Sequence, residues 1–142
     1  MLCRQAVAEG RALERFRGMV IAQGGNPDFI DDPTLLPAPA RRLDLPSSSS
    51  GIVQRLAARP IGHATMLLGA GRARVDSSID PAVGVILHKK VGDPVAEGEP
   101  LCTLLVNDES RLGEVSNLVA GAYEIADEPA AIKPLIVMRL GG

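Results

Sequence analysis

Tryptophan is absent from this 142-residue chain, and the aromatic residues are Phe16, Phe29 and Tyr123 alone. A core built on large rings is therefore excluded, and the interior has to be filled by Leu, Val, Ile, Ala and Met. Cysteine is nearly absent too. Cys3 and Cys102 stand 99 positions apart by their numbering, without metal-ligand spacing, which excludes a disulfide framework or a cysteine-built metal site. The expectation is two buried, reduced thiols in a reducing cytoplasm. No apolar run approaches the about 20 residues of a membrane-spanning helix. The opening MLCRQAVAEGR also lacks the roughly 7–15-residue apolar stretch of a secretory signal, so neither membrane nor export is expected. Charge of one sign is missing as well: a net charge of −2 with both signs interspersed gives no field to attract a nucleic-acid backbone.

What remains is a chain with 46% hydrophobic residues, enough for one core that buries about two-thirds of its unfolded surface. Eleven prolines and fifteen glycines punctuate the apolar runs without forming a low-complexity tract. Only Ser47 to Ser50 is biased, and it reads as a mobile loop.

Leu13, Phe16 and Val20 recur at three- and four-residue steps with Glu14, Arg15 and Arg17 on other faces, which predicts an amphipathic helix over 11–23. Gly24 and Gly25 stop it. Leu2 to Val7 is compatible with helix but begins without a capping residue, so the parent protein is expected to start upstream of Met1. Pro27, Pro33, Pro37, Pro39 and Pro46 prevent a long element over 26–50, leaving an arm in which Arg42 to Leu45 forms a short edge strand.

Beyond the arm, Gly51 to Ala57 reads as a strand, and Pro60 fits the first turn of a helix that carries Ile61, Ala64 and Leu68 to an exit at Gly69. Strands follow at Val83 to His88 and Leu101 to Val106. Between them Gly92-Asp93-Pro94 and Gly98-Glu99-Pro100 make two reversals, with Val91 and Val95 turned inward. Asp108 or Ser110 is expected to cap a helix whose Leu112, Val115, Leu118 and Val119 form an apolar stripe ending at Gly121. Tyr123 to Ala126 and Leu135 to Leu140 read as closing strands. The order of elements is α+β, with a largely antiparallel sheet and flanking helices.

The segment GAGRARVDSSIDPAVGVILHKKVGDPVAEGEPLCTLLV, from Gly69 to Val106, resembles the C-terminal region of pyrimidine-nucleoside and thymidine phosphorylases. GRALERFRGMVIAQGG followed by DDPTLLP resembles the helix and loop that lead into it. Together the resemblance covers nearly the whole chain. It implies an α/β-hammerhead fold with a barrel-sandwich-like β arm. It divides the sequence into a helical tail of a preceding domain (1–25), a connecting arm (26–50) and a hammerhead domain (51–142). The implied activity of the intact enzyme is reversible phosphorolysis of pyrimidine nucleosides to free base and pentose 1-phosphate, with phosphate as co-substrate. The implied assembly is a homodimer joined chiefly through the N-terminal helical domain. The phosphate- and nucleoside-binding segments of that family have no counterpart here. This chain is therefore expected to hold no catalytic, cofactor or metal site and to depend on the remainder of a phosphorylase chain. An archaeal-type nucleotide (AMP-type) phosphorylase shares the LHKK-like arm, but VDSSIDPAVG favours the pyrimidine enzyme.

Each candidate site has a plain structural reading beside it. Gly69-Ala70-Gly71-Arg72 offers glycines and a guanidinium to an anion, yet it lacks the preceding strand and the Gly-Lys-Ser/Thr of a phosphate loop, so a helix exit is the better reading. Arg72, Arg74, Asp76, Ser77 and Asp80 form a charge-dense loop beside an apolar module, and this is the candidate interdomain contact. His63 and His88 have no evident partner for acid–base work. Cys102, inside LCTLLV, is expected to be inert through burial. Lys89-Lys90 precedes Val-Gly-Asp as in biotinyl and lipoyl carriers, but their modified lysine stands upstream, where this chain reads GAGRARVDSS. The pair reads as a solvated strand end, and a free-standing carrier-like module is the remaining alternative.

Overall fold

The computed structural model describes residues 2–72, 78–131, 134 and 136–141. They fall into two compact units, Met1–Ala38 and Pro39–Gly142.

The first unit holds α1 (Leu2–Ala8) and α2 (Arg11–Ala22), followed by two short 3-10 turns, Pro27–Ile30 and Pro33–Leu35. Both turns start on a proline, whose fixed φ suits a first helical position. The preceding side chains cap them: Asn26 accepts from the Asp28 amide at 2.9 Å and Asp32 from the Thr34 amide at 3.1 Å. Gly25 N–H closes α2 by donating to Val20 O at 2.9 Å. The rings of Phe16 and Phe29 meet edge to face at 6.1 Å, and Arg17 reaches Asp31 at 3.0 Å. No described residue of these helices and turns is buried. Leu13, Phe16, Met19 and Ile21 all stand exposed on α2, so much of its apolar surface is left open within the unit even with Phe29 against Phe16.

The second unit contains β1 (Arg41–Pro46), β2 (Gly51–Leu56), α3 (Ala58–Thr65) with a wide π-type turn over Met66–Ala70, β3 (Gly84–Leu87), β4 (Pro94–Val95), β5 (Pro100–Val106), α4 (Leu112–Ala120) and β6 (Tyr123–Ala126). The class is α+β, and every strand pair is antiparallel. The expected single sheet is instead two three-stranded sheets, ordered β1-β5-β3 and β4-β2-β6. The chain switches between them right after Pro46, where the β1–β5 register slips. Proline cannot supply the next ladder donor there, and the strand direction is released. The edge strand expected within the arm is present, and its pairing with β5 makes it part of the second unit.

Val53, Ala64, Leu68, Val83, Val95, Leu101, Cys102, Leu104, Val106, Val115, Val119 and Tyr123 form one core cluster. β5 is covered on both faces, since Leu101 and Thr103 are buried as well as Cys102, Leu104 and Val106. The α4 stripe is as expected: Val115 and Val119 are buried, and Leu112 and Leu118 pack against the cluster. Burying each such side chain contributes roughly 1.5–3 kcal/mol, so these aliphatics do the work that rings do elsewhere.

Four expectations require correction. The run at Ser47–Ser50 is pinned: Ser47 is buried, its amide donates to Glu99 O and its carbonyl accepts from Gly98 N–H, each at 2.9 Å. Ser50 Oγ accepts from the Glu97 amide at 2.9 Å, so the serines serve as backbone partners for the second reversal. Val91 is exposed while Val95 is buried. Val91 sits at the corner of a turn closed by the Asp93 amide on Lys90 O at 3.0 Å, and a turn corner points outward. Asp108 does not cap α4. Its carboxylate folds back on the Ser110 amide and hydroxyl at 2.8 and 3.0 Å, leaving Arg111 at the N-cap with no side-chain capping bond to the first amides of α4. Finally, the described residues between 134 and 141 form no strand, and Ile136, Val137, Met138 and Leu140 are exposed. Local β propensity defines a strand only when a neighbour's ladder accepts it, and no described strand pairs with this segment.

Candidate functional site

The loop singled out between α3 and β3 is described only at its ends. Arg74, Asp76 and Ser77 lie outside the described residues; Arg72 is exposed and Asp80 is half-buried. At the N-terminal base, Gly69 leaves the helix with φ of +109° and its carbonyl accepts from the Asp80 amide at 2.9 Å. The Gly69 to Arg72 segment thus serves as one side of a closed loop base. At the other side Asp80 Oδ1 accepts from the Ala82 amide at 2.9 Å and Oδ2 from Asn107 Nδ2 at 2.6 Å. The two bonds, the Ala82 amide first, hold the Asp80 carboxyl below its usual range. Asn107 Oδ1 in turn accepts from the Ala40 amide at 2.6 Å. Sequence reasoning missed Asn107 and Ala40, because nothing local marks an asparagine that joins positions 67 and 27 residues away.

His88 has a partner that the sequence did not reveal. Its Nε2 lies 2.7 Å from Thr103 Oγ1, and the Thr103 hydroxyl donates to Asp44 Oδ1 at 2.6 Å. One residue from each of β1 and β5 and the residue that follows β3 are linked in a row. His63 is exposed on α3 beside Arg59, Pro60 and Leu118, along a shallow groove between α3 and α4.

Lys89 is not solvated. Its Nζ donates to Pro94 O at 2.8 Å and pairs with Glu99 at 2.6 Å, and the side chain is only 17% exposed. A lysine held this way is not presented for covalent loading, whereas Lys90 is exposed. Cys102 is buried, and desolvation, assisted by the Asp44 charge, pushes its thiol up to about 11. Burial likewise raises Tyr123 to about 12, and its hydroxyl donates to Leu101 O at 3.1 Å. Cys3, expected to be buried, is exposed on α1, whose residues have no core to enter. Among the described residues no group of three or more His, Cys, Asp and Glu converges to hold a metal ion, and no helix is long and apolar enough to cross a membrane.

Fold and side chains together define an α+β module whose polar groups brace turns and loop bases. Residues 52–126 match the family model of the pyrimidine nucleoside phosphorylase C-terminal domain, and the chain belongs to that family. It is 44% identical over 132 residues to the pyrimidine-nucleoside phosphorylase of Bacillus subtilis, covering 91% of this chain and 30% of that protein. It is 43% identical over 139 residues to the Geobacillus stearothermophilus pyrimidine-nucleoside phosphorylase, covering 98% of this chain and 32% of the relative. The thymidine phosphorylase of Mycobacterium tuberculosis (strain H37Rv) is 37% identical over 136 residues, which are 96% of this chain and 31% of the relative. The chain therefore spans about a third of the length of the curated relatives it matches.

Proposed function

We propose that this chain is the non-catalytic C-terminal module of a pyrimidine-nucleoside phosphorylase and that it adopts the α/β-hammerhead arrangement. In the intact enzyme a phosphate oxygen attacks the anomeric carbon as the bond to the pyrimidine nitrogen breaks. The electron pair and a proton end on the departing thymine or uracil, and the pentose carries away the phosphate. Such chemistry needs cations and hydroxyls around phosphate and a polar clamp on the base. Those groups come from the rest of the protein, and phosphate is the only co-substrate required. The intact enzyme acts as a cytoplasmic homodimer.

One observation carries this reading: the match spans 91% of this chain but 30% of the Bacillus relative. Residues 1–25 serve as the tail of the preceding domain and 26–50 as the connecting arm, which accounts for helices with no buried residue of their own. The loop bearing Arg72, Arg74, Asp76, Ser77 and Asp80 contacts the rest of the enzyme near the mouth of its cleft and steadies the closed form. Its exposed Arg72 and its firmly tied Asp80 support that role. The test compares the purified 142-residue chain with the full-length protein, using thymidine and phosphate. Turnover is expected from the full-length protein only, and release of thymine by the 142-residue chain alone would refute the division of labour.

A further inference from the structure

We infer that Asn107 is a positioning residue, whose amide fastens the base of the Arg72–Pro81 loop to the backbone that leads into β1. The inference rests on the contact role proposed for that loop.

The amide has one workable orientation. Ala40 N–H needs an acceptor and the Asp80 carboxylate needs a donor, so Oδ1 must face Ala40 and Nδ2 must face Asp80, each at 2.6 Å. A side-chain amide offers an acceptor and a donor at once. Asp80 is in turn bound through Ala82 N–H at 2.9 Å, and its own amide is bound to Gly69 O at 2.9 Å. Four chain segments thus meet at two residues, Asn107 and Asp80: the approach to β1, the exit of α3, the approach to β3, and the turn after β5. Asn107 immediately follows β5, the most fully buried strand, which gives the clamp a fixed foundation. The depressed Asp80 carboxyl agrees with a carboxylate that takes two donors. Ala40 lies two residues inside the second unit, so the clamp ties the loop base to the stretch of backbone that joins this unit to the one before it.

The geometry supplies its own rescue experiment. N107D sets two carboxylates against each other, and D80N sets an amide donor against an amide donor or strips Ala40 of its acceptor. The exchange D80N/N107D restores all three bonds. The carboxylate now at position 107 would accept from Ala40 N–H and from the side-chain amide now at position 80, whose oxygen would keep Ala82. A merely space-filling role would show no such reciprocity.

Loop anchoring is read first in the 142-residue chain, by the rate at which trypsin cuts after Arg72 and Arg74 in folded protein, with fragments identified by mass. Each single variant should raise that rate about 3- to 10-fold, the effect of losing one hydrogen bond, and the exchange should return it to within about twofold of the parent. Unchanged cleavage in both single variants, or an exchange no better than the singles, overturns the clamp. The same three variants in the full-length protein are then assayed with thymidine and phosphate. A rise in KM for the nucleoside in the singles, reversed by the exchange, links the clamp to the active site. If cleavage responds but kinetics do not, the clamp stands and the loop's contact role is the part that fails. If the parent full-length protein has no phosphorolytic activity, the functional reading fails while the trypsin result remains decisive for the clamp.

Discussion

Lys89 Nζ lies 2.6 Å from Glu99 Oε1 and 2.8 Å from the carbonyl oxygen of Pro94, so one ammonium ties together the two reversals of the β arm. Glu99 also accepts from the Ala96 amide at 3.0 Å, and its own carbonyl holds Ser47. The arm's shape therefore depends on a charge pair that no local pattern announces.

That pair makes stability pH-dependent. The Glu99 carboxyl is held below its ordinary 4.5, by Lys89 first and by the Ala96 amide second. A depressed folded pKa means that the folded state resists protonation. The contribution is fully present above about pH 4.5 and is lost as pH falls through the lower folded value. Asp80 and Asp108 are depressed in the same direction and add to the total slope, so the wild-type curve alone does not isolate Glu99. Lys89→Met should flatten the decline in urea midpoint between pH 7 and pH 3. Parallel curves for the two proteins would show that the pair does nothing for stability.

Two glycines with positive φ should respond very differently to alanine. At Gly51, with φ of +149°, an added Cβ would stand 2.8 Å from Ala126 O and 2.9 Å from Ile125 Cγ2, directly in the β2–β6 ladder. At Gly98, with φ of +82°, it would meet nothing within 4 Å. Gly98→Ala should therefore cost only the conformational penalty, roughly 1 kcal/mol. Gly51→Ala adds an overpacking cost of about 1–3 kcal/mol, because backbone cannot move aside as a flexible side chain can. Chemical denaturation of both variants ranks them, and equal losses would contradict the close approach of β6 to Gly51.

Much of this fold is legible in the sequence wherever one face of one element decides the outcome. The α4 stripe of Val115 and Val119, the turn positions of Gly92 and Gly98, and the β5 run from Leu101 to Val106 all follow from spacing within a dozen residues. What escapes is anything fixed by a distant partner. Ser47 looks like part of a loose serine run, yet Gly98 and Glu99 hold it; Lys89 looks solvated, yet Glu99 claims it. The residues 136–140 look like a strand but find no described ladder to join. The candidate loop is legible from its charges, whereas Asn107, which anchors it, is not, since an asparagine after a strand has the same local appearance whether or not it is a clamp.

The two thiols should separate cleanly by reactivity. Cys3 is exposed and Cys102 is buried, with its pKa pushed up to about 11 by desolvation. Only the thiolate attacks a disulfide reagent or maleimide, so at pH 8 burial and the raised pKa act in the same direction on Cys102. A folded sample should take up one equivalent of reagent, at Cys3, and a second only with denaturant. Prompt labelling of Cys102 in folded protein would mean that β5 is far less enclosed than its packing indicates.

The last prediction concerns where a proton sits. Thr103 gives its hydroxyl hydrogen to Asp44 at 2.6 Å, so at the 2.7 Å contact with His88 its oxygen has only lone pairs to offer. His88 must then carry its hydrogen on Nε2, and nitrogen NMR of the neutral ring should show the Nε2–H tautomer. Thr103→Val keeps the shape of a buried side chain and removes both bonds at once. It should lower stability by about 1–2 kcal/mol and let the His88 ring populate both tautomers. His88→Ala takes away only the outer, exposed donor and should cost less, because the Thr103–Asp44 bond survives it. If the valine variant is as stable as wild type and the tautomer is unchanged, the row from β3 through β5 to β1 is a coincidence of proximity. The strand ladders alone would then hold this sheet in register.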